Sequence, residues 1–254
     1  MRSWIGTLLC VLGLSLTASV QAHTATGTIR VASEVWSGYT EADGSGLAWD
    51  VLRKVFGPAG VELHTRSVPY TRAVGLVKRG EADAWVGSYL NEIDGAVVYP
   101  LWHFDADQIY ALGRADEAAV NLDNLGDFRL VWMRGYAFAK YLPNLTHFEE
   151  IQRRGGILSM LDLEHADFYI DARPEIEQVL QAAKNPAAYR ITPLTQLRLY
   201  LAFADTPHGR TLAKLFDERM AVLVKSGELR PVFARWHYPY PFVDTPEETP
   251  HALP

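Results

Sequence analysis

One cysteine, Cys10, is all that 254 residues contain, and it sits inside an apolar N-terminal run. Disulfides and a thiolate nucleophile are therefore excluded for everything downstream. The eight histidines show no His-Glu-x-x-His or other paired spacing, which argues against a zinc site. No Gly-x-Ser-x-Gly elbow occurs, and Gly44-Ser45-Gly46 lacks the lysine that a phosphate-binding loop needs. Charge of one sign is also scarce: 24 Lys and Arg stand against 30 Asp and Glu, scattered along the chain for a net −6. That distribution offers no footprint for nucleic acid or an anionic membrane. After the N-terminal run, no stretch of about eighteen apolar residues follows, so membrane insertion of the downstream chain is not expected.

The N-terminus itself reads as an export signal. Arg2 gives the positive start, residues 5–16 the apolar run, and Val20-Gln21-Ala22 a small-x-Ala cleavage site. Cleavage after residue 22 removes Arg2 and Cys10 together. The expected product is soluble and exported, with the bacterial periplasm as its compartment. Its roughly 230 residues suffice for one large or two modest domains, and 48% hydrophobic content supports a packed core.

Hydrophobic patterning along that product alternates strand and helix. Residues 28–33 read as a strand, 36–45 as a Gly-rich loop and 47–56 as an amphipathic helix stopped by Gly57-Pro58-Ala59-Gly60. A strand over 61–68, a helix opened by Pro69 and a strand over 82–88 follow, then a further strand over 105–112. Residues 113–127 are polar and read as a domain crossing. A second set then begins with a strand at 129–133, a helix around 136–142, a helix over 155–163, a strand at 167–170, a helix over 173–183 and a strand at 189–195. Residues 196–204 read as a strand that carries the chain back, before helices over 208–225 and 228–237. The pattern predicts parallel sheets in an α/β protein of two lobes, each a sheet flanked by helices, with a cleft between them. Lobe 1 would take residues 23–112 and 201–238, and lobe 2 residues 113–200. The Pro-rich tail, 239–254, would be a loose strap or disordered.

Residues 69–89, PYTRAVGLVKRGEADAWVGSY, place a helix start and a strand end at one sheet edge. Backbone donors and aromatic faces converge on a small solute at such an edge. Trp36, Tyr39, Tyr70 and Tyr89 are the aromatic candidates for its wall, with Ser88 at the same strand end, while Trp85 and Trp102 read as core. Arg72, in the first helical turn, either reaches an anionic ligand or pairs with a surface carboxylate. Gly135 to Phe138, preceded by Arg134, would open a helix whose free N–H groups form an anion site, unless it is an ordinary strand–helix turn. Asp171, just past its strand, either receives a ligand ammonium or caps the next helix. No cofactor or metal is expected.

The strand Ile29-Arg30-Val31-Ala32-Ser33, Asp43-Gly44-x-Gly46, Pro69-Tyr70-x-Arg72-Ala73, Gly80-Glu81-Ala82-Asp83-Ala84, Ala166-Asp167 and the terminal stretch from Gly227-Glu228-Leu229 to Trp236 occur in an informative order. Over residues 29–237 the chain resembles the bacterial extracellular solute-binding proteins of family 3, the amino-acid-binding-like group. The resemblance implies a type II, two-lobed periplasmic binding protein, a monomer that closes on one small polar solute and delivers it to an ABC permease or a membrane sensor. It also implies an Arg after the first-lobe strand end for a ligand carboxylate. Residues 91–99 hold no Arg, which argues against a standard amino acid and leaves other amines or carboxylates open. Two rival readings share the scaffold: a sensory adaptor, and a periplasmic dehydratase using acids such as Glu34, Glu92 or Asp171.

Overall fold

A computed structural model describes residues 27–242. The expected export signal and the tail beyond residue 242 lie outside the described residues. The chain starts with β1 (Gly27–Ser33), α1 (Leu47–Phe56), β2 (Val61–Ser67), α2 (Tyr70–Lys78), β3 (Ala84–Tyr89) and the two-residue β4 (Val97–Val98). The long β5 (Asp105–Arg114) leads to β6 (Arg129–Met133), β7 (His147–Ile151), α3 (Ile157–Asp162), β8 (Phe168–Ala172) and α4 (Arg173–Gln181). The longer β9 (Tyr189–Ala204) brings the chain back to α5 (Pro207–Ser226) and α6 (Arg230–Arg235).

Local chemistry sets these elements. Helix α1 buries Leu47, Val51, Leu52, Val55 and Phe56, carries Asp50 in its first turn and Arg53 and Lys54 in its last, and stops at Gly57-Pro58. Both charge placements suit the helix dipole. Helix α5 begins with a Thr206 side-chain cap on the Gly209 N–H and Pro207 in its first turn, and ends at Gly227 in the left-handed region.

Hydrogen bonding joins all the strands in the order β2-β1-β3-β9-β5-β8-β6-β7, with β4 on β9. The triplets β2-β1-β3 and β8-β6-β7 are parallel inside each lobe, as the strand–helix alternation predicts. The two crossing strands are antiparallel to each other and to their neighbours. They pair from Asp105↔Leu199 to Arg114↔Tyr189. This ladder fuses the two expected sheets into one curled, continuous one, because each crossing strand supplies the edge that its lobe would otherwise leave open.

Several expectations are corrected. Residues 189–195 and 196–204 form one strand, and Pro193 is accommodated beside a register shift between Ile109 and Tyr110. Residues 136–142 hold only a short 3-10 turn, Phe138–Lys140, entered through Ala137 in the left-handed region. Strands β4 and β7 were not anticipated. The described part of the tail is neither loose nor disordered: Phe242 is buried and stacks on His103 at 4.8 Å, and Tyr240 packs on Phe233 at 5.6 Å.

Side-chain alternation divides the core. Leu130 and Trp132 of β6, with Phe168 and Ile170 of β8, join a large cluster that includes the lobe 1 core. Val131 and Tyr169 point the other way, into a smaller cluster with Leu112, Ile157, Leu161 and Ile176. No helix among the described residues is long and apolar enough to cross a membrane.

Candidate ligand-binding site

A cleft whose empty space, counting the part open to solvent, is about 550 Å³ lies at the seam between the lobes. Lobe 1 supplies Trp36 and Tyr39 from the loop after β1, Tyr70 from the start of α2, and Gly87 and Tyr89 from the end of β3. Lobe 2 supplies Tyr136 after β6, Asp171 and Ala172 at the end of β8, and Pro174 and Glu175 in the first turn of α4. The crossing strands add Asp107 and Leu199, and the strap after α6 adds Tyr238. The site thus forms where parallel strands of both lobes end, the usual crevice of α/β sheets.

The tyrosine hydroxyls are tied back into protein. Tyr39 donates to Asp105 at 2.8 Å, Tyr89 to Asp107 at 2.9 Å, and Tyr70 to both oxygens of Glu92 at 2.9 and 2.7 Å. The Tyr136 oxygen accepts from Trp36 Nε1 at 3.1 Å and from Arg154 Nη2 at 2.7 Å. Each ring is pinned at its polar end, so its contribution to the wall is aromatic surface.

Carboxylates dominate the charge. Burial pushes Asp105 up to about 8 and Asp107 and Glu92 up to about 7, against the pull of their tyrosine donors. Burial also raises Glu175 well above the ordinary carboxylate range, and the Asp171 and Asp107 charges add to it. Asp171 is raised by burial and opposed by Arg154, whose Nε and Nη2 donate to it at 3.2 and 3.1 Å. Tyr169 also donates to Asp171, and Arg154 lies 3.8 Å from Glu34 of lobe 1.

The lobes touch across this seam. Besides Trp36–Tyr136, Lys140 Nζ donates to the Glu92 carbonyl at 2.9 Å and Tyr141 Oη to the Leu90 carbonyl at 3.0 Å. Phe138 packs beneath, 5.9 Å from Tyr89. Two glycines permit the close fit. Gly87, at φ 90°, would place a Cβ 2.8 Å from the Trp36 ring, and Gly135, at φ 92°, would place one 2.6 Å from Thr71 Cγ2 of the other lobe.

Of the residues singled out in the sequence, the structure brings Trp36, Tyr39, Tyr70, Tyr89 and Asp171 to the cavity. Ser88 is buried behind it, bonded to Glu92 and Tyr99. Phe138 and Gly135 serve the seam. Arg72 and Arg134 are exposed and away from the wall. The anion site expected at Gly135 to Phe138 is not formed, because no α-helix begins there to align its free N–H groups. Trp85 and Trp102 are core, as read from sequence. Sequence reasoning missed Asp107, Tyr136, Arg154, Glu175 and Tyr238. Asp105-Ala106-Asp107 carried a usable signal, since two carboxylates on one face of an otherwise apolar strand call for partners.

No protein-family model matches the chain, and no curated protein matches it in sequence. Solved structures do match. The EhuB protein in complex with hydroxyectoine is 20% identical with a TM-score of 0.65, over 85% of this chain and 90% of its own. An amino-acid ABC transporter substrate-binding protein from Streptococcus pneumoniae, AbpA, bound to L-arginine, is 16% identical with a TM-score of 0.62, over 85% and 97%. A histidine kinase sensor domain with similarity to periplasmic binding proteins is 16% identical with a TM-score of 0.63, over 82% and 95%. At such identities the likeness establishes the fold. The chain has the two-lobed α/β architecture of the periplasmic binding proteins, with its cavity at the seam between lobes.

Proposed function

We propose that this protein is a periplasmic solute-binding protein that captures a small polar solute between its lobes and presents it to an ABC transporter. One observation carries the reading: the cleft is walled by side chains from both lobes, from Trp36, Tyr70 and Tyr89 on one side to Tyr136, Asp171 and Glu175 on the other. A solute touching both sides stabilises the closed form by its differential affinity. The fold shared with transporter-linked binding proteins supports the same role. On this reading the exported chain is a cofactor-free monomer divided at residues 23–112, 113–200 and 201–238. It catalyses no reaction. Asp171, one of the acids a dehydratase would use, is held by Arg154 and Tyr169.

The test is a thermal-shift and calorimetric screen of the purified chain against small amines, amino acids, carboxylates and sugars. A ligand at a hundred times its Kd stabilises by about 2.7 kcal/mol, readily seen as a raised Tm. A folded protein that binds nothing in a broad screen ends the proposal.

The sensor-domain likeness supports a second reading, in which the liganded protein docks on a membrane receptor. Co-purification with a permease or with a receptor separates the two.

A further inference from the structure

Resting on the solute-binding reading, we propose that the cavity takes a small organic cation, a quaternary ammonium or a protonated amine, and grips it without any anchor for a carboxylate.

The wall carries Asp107, Asp171 and Glu175, and no Lys, Arg or His among its described residues. Arg154 stands behind this wall and serves Asp171, donating to it through Nε and Nη2. One carboxylate is thereby paired. Neither Asp107 nor Glu175 has a direct ion pair among the described residues: Asp107 accepts from Tyr89, and Glu175 feels Arg154 only at longer range, behind Asp171. Both groups are half-buried and held toward their protonated forms, and a cation in the cavity favours their ionisation and is gripped by the charge that results. The occupant that satisfies this site is positive.

The aromatic surface points the same way. Four tyrosine hydroxyls are committed to Asp105, Asp107, Glu92 and the Trp36–Arg154 pair. The O–H donors of Tyr39, Tyr70 and Tyr89 are thus spent on carboxylates and their rings present π surface, which suits an ammonium better than an anion needing hydrogen-bond donors. One feature of the cavity pulls toward anions, the N-terminus of α4. Its positive end is met by Glu175 in the first turn, and the Ala172 N–H before it is taken by Asp171 Oδ1 at 2.8 Å. A metal ion is a poor occupant, since no group of three or more His, Cys, Asp or Glu among the described residues is arranged to hold one.

Titration calorimetry of the purified chain with choline, agmatine, L-arginine, glucose and succinate tests the idea. Agmatine is arginine without its carboxylate, so the pair isolates the missing anchor. Expected is saturable binding of choline or agmatine, agmatine at least as tight as L-arginine, and no binding of glucose or succinate. Asp107→Asn and Glu175→Gln should each weaken that binding at least tenfold with the circular dichroism unchanged. Binding of succinate or glucose in place of the cations, or L-arginine tenfold tighter than agmatine, overturns the ligand class and leaves the solute-binding reading standing. Wild-type affinity in both variants overturns the assigned carboxylates. Silence from all five probes with folded protein sinks the ligand class here, while failure of the wider screen is what sinks solute binding itself.

Discussion

Arg154 Nη2 lies 3.1 Å from Asp171 Oδ2, and the aspartate side chain is only 2% exposed. The pair belongs to lobe 2 and extends to Tyr136 and Tyr169, so it stiffens the part of the wall that faces lobe 1. Removing one partner strands a buried charge. Arg154→Ala should destabilise the protein by about 3–5 kcal/mol. The double variant Arg154→Ala with Asp171→Asn should recover much of that loss. Urea denaturation of the four species in one cycle measures the coupling, and a simple sum of the two single effects would contradict it.

Stability of the ligand-free protein should fall as pH rises. Asp105, Asp107 and Glu92 keep their protons in the fold up to about 8, 7 and 7, whereas the unfolded chain releases them near 3.8, 3.8 and 4.5. Between those limits the folded state holds more protons. The stabilisation is complete below about pH 4 and is lost as pH passes through about 7 to 8. Glu92→Gln mimics the protonated acid. It should leave Tm unchanged at pH 4 and raise it at pH 8.5, by about 2–4 °C for each kcal/mol relieved. A variant that lowers Tm equally at both pH values would refute this origin.

Gly87 is at a break in the β3–β9 register, and its carbonyl accepts from Tyr70 Oη at 3.2 Å. Gly87→Ala should cost stability through its positive φ, by about 1–2 kcal/mol, and should displace the Trp36 ring from the wall. Loss of ligand affinity beyond the loss of stability, read together by calorimetry and thermal melts, is the expected result.

Trp36→Phe keeps an aromatic face but removes the Nε1 bond to Tyr136 that links the lobes. The closed form should lose about 0.5–1.5 kcal/mol, seen as a larger radius of gyration in solution scattering and weaker ligand binding. Arg72→Ala should change neither, because Arg72 is exposed outside the cavity. A tenfold loss of affinity in Arg72→Ala would show that the ligand site has been misplaced.

The fold was largely legible because periodicity is local. The apolar spacing of α1, the Pro69 start of α2 and the strand–turn–helix order required no knowledge of distant contacts. Residues 136–142 failed as a helix for a tertiary reason: Tyr136 and Phe138 turn inward to meet Trp36, Tyr70 and Tyr89, and Ala137 takes a left-handed conformation to let them. The continuity of β9 was hidden because Pro193 and the polar pair Thr195-Gln196 look like a break, while the partner strand β5 supplies the pairing that holds the strand together. Five of the ten site residues named from sequence line the cavity: four sit at strand ends or in the loops that follow them, and Tyr70 opens α2.

Sequence by itself determined the alternation of strands and helices and the aromatic richness of the strand-end loops, since each is written in neighbouring residues. Only the tertiary structure decided the charge of the cavity. Asp107 of a crossing strand, Asp171 and Glu175 of lobe 2, and the Arg154 that bonds directly to Asp171 alone of the three are up to 68 residues apart in the chain, and an electrostatic balance depends on distances in space rather than on spacing along a sequence.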